Sequence, residues 1–263
     1  MADATTILFI GDVMGKPGRR AVKKLLPELM DIHCPDVVVA NGENAAGGFG
    51  ITPGVYEELL SLGVDVVTSG NHIWDKREIE DYIGGTDRLL RPANYPKEAP
   101  GGGMTVFECR SGVKVGVVNL SGRVFMAHID CPFTVGSRAI ERLREETPVI
   151  LVDMHAEATS EKNAFACHFD GLVSAVIGTH THVQTADERV LPLGTAYITD
   201  AGMTGPTDSV IGIEKEAALK RFLTQMPARF EVATGGVEFQ GVVVKVGPDG
   251  KAESIERIKR PVG

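Results

Sequence analysis

Five short apolar runs, each ending in side chains that bind metals, constrain this chain more than any other feature. They are ILFIGD (7–12), VVVANGEN (37–44), VVTSGNH (66–72), VILVDMH (149–155) and AVIGTHTH (175–182). Their polar ends offer Asp12, Glu43, Asn44, Asn71, His72, His155, His180 and His182. Ligand sites in open α/β sheets form just beyond the carboxyl ends of the strands. If the five runs lie side by side in one direction, these groups converge on one rim. Four histidines together with carboxylate and carboxamide oxygens exceed what one metal needs, so the pattern points to a two-metal hydrolytic site.

The bulk properties leave room for such a site. At 263 residues the chain could fold as one large α/β domain or two small ones. With 43% hydrophobic and 24% charged residues it has the composition of a soluble globular protein. The net charge of −8 argues against a general binder of long nucleic acid, which needs a basic face to release counterions. A small anionic substrate remains compatible, because bound dications dominate the local field. No apolar run approaches the roughly 20 residues of a membrane span. The segment MADATTILFIGDV has no basic leader and reads as a first strand, so a cytoplasmic location is expected. Cys34, Cys109, Cys131 and Cys167 form no CxxC pair, and buried reduced thiols are the reading for all four.

Along the chain, strands alternate with helices from 5 to 75, as expected for a sheet covered by helices. Residues 18–31 have helical spacing, and Pro27 should kink or shorten that helix. Residues 53–62 open with a proline and close at Gly63. From Asp75 to about Gly103, a short helix (KREIEDYI) gives way to a Gly/Pro-rich loop or a boundary between sheet halves. A hairpin turning near Ser111-Gly112 follows, then a loop, a charged helix (VGSRAIERLREET) and the His155 strand. TSEKNAFACHFDG reads as a helix capped by Thr159. Short strands lead to a helix near 214–225, and the chain ends in two or three strands. Two groups of strands, each with helices, suggest a sandwich of two sheets with helices outside. Without repeats or a convincing linker, residues 1–263 read as one domain.

The site chemistry follows from what a phosphate ester demands. Its negative oxygens repel nucleophiles and its alkoxide leaves poorly. Two metals about 3.5–4 Å apart generate a hydroxide at neutral pH and clamp the oxygens of an in-line displacement. Glu43 could bridge such a pair. Asp12 with one C-terminal histidine could complete one metal, and Asn71, His155 and another histidine the second. His72, directly after Asn71, could swing over the site as a general acid, oriented by Asp75; a further ligand or a supporting donor are its other readings. Taken alone, Asp12 could cap the following helix and NGEN could be a turn. His33 and His168 read as structural, and His128 as a loop residue that could touch substrate. The glycine-rich AAGGFG (45–50) could cradle a phosphate or be a plain turn, and TDAGMTGPTDSVIG (199–212) could line the rim or merely connect.

The order GD…GEN…GNH…H…GTHTH resembles the calcineurin-like metallophosphoesterase superfamily over roughly residues 7–200. Within it, GDVMGKPGR, NGENAAGG, DMHAEATSEK, GTHTHVQTADERVLP and TDAGMTGP look like the YmdB-like bacterial branch, which is associated with cyclic-nucleotide phosphodiesterase activity. The resemblance implies an α/β fold, a four-layer α/β/β/α sandwich of two mixed sheets with outer helices. By position it implies Asp12 and His182 on metal 1, Glu43 as the bridge, and Asn71, His155 and His180 on metal 2, with His72 as the acid. Met14 occupies the place of the first-block histidine, and Asn44 is the candidate to supply the missing donor. The donor set suits manganese or iron, with zinc allowed.

The expected function is therefore a dinuclear-metal phosphodiesterase acting on small phosphodiesters, with cyclic nucleotides, 2′,3′-cyclic ones first, as the leading substrates. A metal-bridging hydroxide would attack in line while His72 protonates the leaving oxygen. The alternatives are a phosphomonoesterase or phosphoprotein phosphatase with the same site, and a metal-bound regulatory protein with incidental catalysis. Substrate-contacting residues stay unassigned, and a homo-oligomer is allowed.

Overall fold

In the computed structural model, residues 4–263 are described, and within them the apolar runs become strands with two buried faces. Residues 1–3, which begin the segment read as lacking a basic leader, lie outside the described residues. The chain runs β1 (Thr5–Ile10), β2 (Asp12–Val13), α1 (Gly15–His33), β3 (Val37–Asn41), α2 (Pro53–Ser61), β4 (Val66–Thr68) and α3 (Glu78–Tyr82). It continues with β5 (Met104–Glu108), β6 (Lys114–Ser121), α4 (Pro132–Arg144), β7 (Ile150–His155), α5 (Thr159–His168) and β8 (Ala175–Thr179). The last part comprises β9 (Arg189–Val190), β10 (Ala196–Ile198), β11 (Met203–Pro206), α6 (Lys215–Thr224), β12 (Val237–Val246) and β13 (Ala252–Pro261).

The strands form two mixed sheets, and the fold is α/β. The first follows the order β2-β11-β12-β1-β3-β4, with β13 paired to β12; the second follows β5-β6-β7-β8-β10-β9. β1, β3 and β4 are mutually parallel, as are β6, β7, β8 and β10. Alternating side chains of one strand point to opposite faces. Ile7 and Phe9 of β1 accordingly pack with Leu151, Ile177 and Ile198 of the second sheet, while Leu8 and Ile10 pack beneath Val22 and Leu26 of α1 and Leu59 of α2. On the far side, Val152 and Val176 pack against Ile140 of α4 and Phe165 of α5. Helices thus cover both outer faces and the two sheets share an apolar interior, the four-layer arrangement expected.

This arrangement corrects the idea of five neighbouring strands: three belong to one sheet and two to the other. The irregular segment 69–103 is the crossing between them. Other expectations shift locally. α1 runs through Pro27 without ending, because Pro27 and Lys23, whose carbonyl loses its partner, are both exposed and water can replace the missing N–H. Thr159 is the first residue of α5 and makes no cap; Ala158 precedes it in extended conformation. The charged helix starts at Pro132, a favoured first-turn residue, and stops at Arg144. Only two long strands close the chain, since Val232 contributes just an isolated bridge to Ile213. Of the four thiols, Cys109 is buried, Cys131 is half-buried, and Cys34 and Cys167 are exposed; all are free. No helix is long and apolar enough to cross a membrane among the described residues.

Candidate metal centre

The carboxyl ends of β1, β3 and β4 meet those of β7 and β8 at one seam. Gly11 passes the chain from β1 to Asp12, Asn41 ends β3 before Glu43 and Asn44, and a turn after β4 carries Asn71 and His72. His155 ends β7, and His180 and His182 follow β8. Two groups of three emerge with ligand atoms within 4.8 Å of one another: Glu43, His155 and His180, and Asp12, Glu43 and His182. Glu43 is common to both.

Around Glu43 the contacts are close. Oε1 lies 3.1 Å from His155 Nε2 and accepts from Asn44 Nδ2 at 3.1 Å. Oε2 accepts from the backbone N–H of His72 at 3.2 Å. His155 Nε2 also lies 3.0 Å from Asn71 Oδ1 and 3.0 Å from His180 Nδ1. Gly70 makes this crowding feasible, since a Cβ there would stand 2.3 Å from both Glu43 Oε2 and the His155 ring. Nearby, Asn44 Nδ2 is 3.0 Å from His182 Nε2, which is 3.9 Å from Asp12 Oδ1. His182 Nδ1 donates to the Ile211 carbonyl at 2.9 Å, which leaves Nε2 with its lone pair toward the cluster. Asn44 turns its amide nitrogen to that lone pair; rotation of the amide by 180° would bring its oxygen there instead.

His155 is held from behind by a relay the sequence reading did not include. Its Nδ1 donates to Thr179 Oγ1 at 2.9 Å, and that hydroxyl donates to Asp153 Oδ1 at 2.6 Å. Asp153 Oδ2 accepts from Asn41 Nδ2 at 2.9 Å and Thr68 Oγ1 at 2.5 Å, so the relay joins the two sheets. A carboxylate two residues before a histidine on one strand shares its face, and that spacing in VDMH was the available signal. The Lys162–Asp200 pair, at 2.8 Å and wholly buried, also went unnoticed.

The titrating groups share one field. Burial raises Asp12 to about 7, despite the attraction of His182 and His155. Burial acts in the same direction on Glu43, but the charge of His155 and its hydrogen bond outweigh it and hold Glu43 at about 2. For His155 burial acts downward, and Glu43 overrides it to raise the imidazole to about 9. His180 is pushed down to about 3 by burial and then by repulsion from His155. Without ions, Glu43 and His155 therefore form an ion pair beside a neutral His180.

His72 stands at the rim. Its Nδ1 lies 2.8 Å from Asp75 Oδ2, and its ring meets Phe49 edge-on at 5.1 Å between centroids. AAGGFG thus supplies the ring beside His72, with Gly47, Gly48 and Gly50 in left-handed conformations. The 199–212 loop reaches the cluster through Ile211 and, from beneath, through Asp200. Met14 packs with Met203 and Ile213 in a small apolar cluster, so its thioether has apolar neighbours. His128 lines a separate surface pocket with Arg123 and Glu161, while His33 and His168 end α1 and α5.

The residues fit a pair of metal ions. Asp12 Oδ1 is buried and has no hydrogen-bond partner, a vacancy of donors that a cation would satisfy. Imidazole and carboxylate donors without thiolate match a first-row or similarly hard divalent ion.

Comparison with known proteins agrees with this geometry. The family described as "YmdB-like protein" matches residues 8–258. A "2′,3′-cyclic-nucleotide 2′-phosphodiesterase" of Bacillus subtilis is 50% identical over 253 residues, covering 96% of each chain. Among solved structures, a hypothetical protein from Thermus thermophilus has a TM-score of 0.90 at 44% identity, covering 98% of this chain and 100% of that one. A novel phosphatase of Mycoplasma pneumoniae has a TM-score of 0.93 at 37% identity, covering 99% and 95%. With family, relatives and fold in agreement, this chain belongs to the YmdB-like family of the calcineurin-like metallophosphoesterases.

Proposed function

We propose that this chain is a dinuclear-metal phosphodiesterase that hydrolyses small cyclic phosphodiesters, with 2′,3′-cyclic nucleotides as first substrates. The single observation that carries the reading is Glu43, shared by two ligand clusters that together draw on the strand ends of both sheets. Glu43 would bridge two ions, with Asp12, His182 and Asn44 on one and Asn71, His155 and His180 on the other. When bound, the ions supply Lewis acidity and a nucleophilic hydroxide at neutral pH. Manganese or iron suits the donors, and zinc is compatible.

The chain's own groups then divide the work. The Asp153–Thr179 relay fixes His155 with Nδ1 protonated, so Nε2 is the nitrogen that would hold an ion. Asp75 accepts from His72 Nδ1, which leaves Nε2 to deliver a proton to the departing ribose oxygen. A strained five-membered cyclic ester asks least of that leaving group. The B. subtilis relative, named for 2′,3′-cyclic nucleotides, supports the substrate class. The intersheet core supports treating residues 1–263 as one domain, and a cytoplasmic place belongs to the same reading.

The test is hydrolysis of 2′,3′-cyclic AMP by metal-free protein reconstituted with Mn²⁺, with para-nitrophenyl phosphate alongside. Metal-dependent turnover of the cyclic diester is expected. Preference for the monoester would move the protein to the phosphatases, and inactivity on both would favour a regulatory role.

A further inference from the structure

The turn that carries His180 and His182 is backbone-strained: His180 has φ 99° and His182 φ 64°, in a region that non-glycine residues rarely occupy. Such a turn persists only when its surroundings over-determine it. The atoms that do so lie directly beneath. Thr181, between the two histidines, donates its backbone N–H at 3.1 Å and its hydroxyl at 2.7 Å to the same oxygen, Asp200 Oδ2. That oxygen also takes Lys162 Nζ at 2.8 Å, while Asp200 Oδ1 accepts the Gly202 N–H at 2.9 Å. The Lys162 stem passes over Gly178, where a Cβ would come within 2.9 Å of Lys162 Cδ. Lys162 and Asp200 are both 0% exposed.

A fully buried ion pair is a poor way to gain stability, since well-packed apolar side chains of similar volume often serve as well or better. It does supply a directional acceptor at a fixed point. We propose that the Lys162–Asp200 pair is a positioning device: through Thr181 it holds His180 and His182 in the left-handed conformations that aim both imidazoles at the candidate metal centre. Lys162 fixes the Asp200 carboxylate, and Asp200 fixes the turn. The same turn sends the His180 N–H to Asp12 Oδ2 at 3.2 Å, so the clamp also sets Asp12. Lys162 lies in TSEK and Asp200 in TDAGM, two sequence signatures that the proposed catalytic chemistry leaves without a task. The inference rests on the two-metal reading of the site, and its test separates the two.

The full-length metal-free protein is titrated with Mn²⁺, with thermal unfolding and histidine imidazole ¹⁵N spectra recorded in parallel. The variants are Lys162→Met/Asp200→Leu, Lys162→Met/Asp200→Asn and Thr181→Val. The Met/Leu variant should unfold near the wild-type temperature yet bind Mn²⁺ about 10–100-fold more weakly, the usual effect of losing an outer-shell partner. The imidazole signals of His180 and His182 should move in the metal-free state. The Met/Asn variant should recover most of the affinity, because its amide oxygen still accepts from Thr181, and Thr181→Val should lose a smaller part. A folded Met/Leu variant with wild-type affinity would overturn the proposal. If that variant does not fold, Thr181→Val decides: imidazole spectra superimposable on wild type would overturn it equally. Failure of the wild type itself to bind Mn²⁺ would sink the two-metal reading, and the imidazole comparison would then judge the clamp alone.

Discussion

The floor and the rim of the candidate centre are built differently. At the floor, Glu43, His155, Asp153, Asn41 and Thr68 are all buried, and Asp153 ties the relay on its own sheet through Thr179 to Asn41 and Thr68 of the other sheet. At the rim, His72 and Asp75 keep side-chain exposures of 29% and 42%, and His180 Nε2 meets Glu157, itself half exposed. In the proposed reading the floor serves as a fixed receptor for cations. The rim has the access to water and substrate that proton transfer requires. Binding and turnover should therefore respond to different substitutions.

The strongest challenge to that division is Glu43→Ala. Both ions should be lost, read by metal analysis of the purified variant; retention of two per chain would show that Glu43 does not bridge. At the rim, His72→Ala should lower turnover about 10²–10⁴-fold while metal content stays at the wild-type level. Equal loss of metal would make His72 part of the floor. Behind the floor, Asp153→Asn should weaken metal binding about 10–100-fold by loosening the His155 relay, measured by Mn²⁺ titration. Outside both regions, Met14→Leu should change stability by less than about 1.5 kcal/mol and leave metal uptake unchanged, because Met14 serves only its apolar cluster.

A pH series sharpens the same contrast. Raised to about 9 from 6.5, His155 contributes stability to the metal-free fold below pH 6.5 that is lost as pH rises through 9. Asp12, raised to about 7 from 3.8, contributes stability below pH 3.8 that is lost as pH rises through 7. Glu43, held at about 2, contributes above its ordinary 4.5 and loses this only as pH falls through 2. The unfolding temperature of metal-free protein should thus fall between pH 6 and 9.5, while apparent Mn²⁺ affinity rises as the competing protons leave. A flat unfolding profile over that range would remove His155 and Asp12 from the buried field.

Much of this was legible in sequence, and for a physical reason. A strand buried on both faces reads as an unbroken apolar run, and its polar end marks where burial stops, so all five site segments stood out. The partition of those strands between two sheets did not, because β1 and β7 carry the same pattern whichever sheet they join. Pro27 misled because a proline's cost depends on whether the orphaned carbonyl reaches water, which needs the third dimension. Lys162 was hidden for the opposite reason: a lysine in a helix normally reads as solvated, and nothing local announces that its partner lies 38 residues away. Asp153 was recoverable from its two-residue spacing to His155 but was passed over inside an apolar strand.

The distribution of thiols has a practical consequence. Cys34 follows α1 on one outer helical layer, and Cys167 belongs to α5 on the other; both are exposed, while Cys109 is shielded. With Cys131 exchanged for serine, spin labels on Cys34 and Cys167 would form a ruler across the whole thickness of the sandwich. One narrow distance distribution would describe two sheets moving as a single body, and broadening on metal removal would expose breathing along the seam where the strand ends meet.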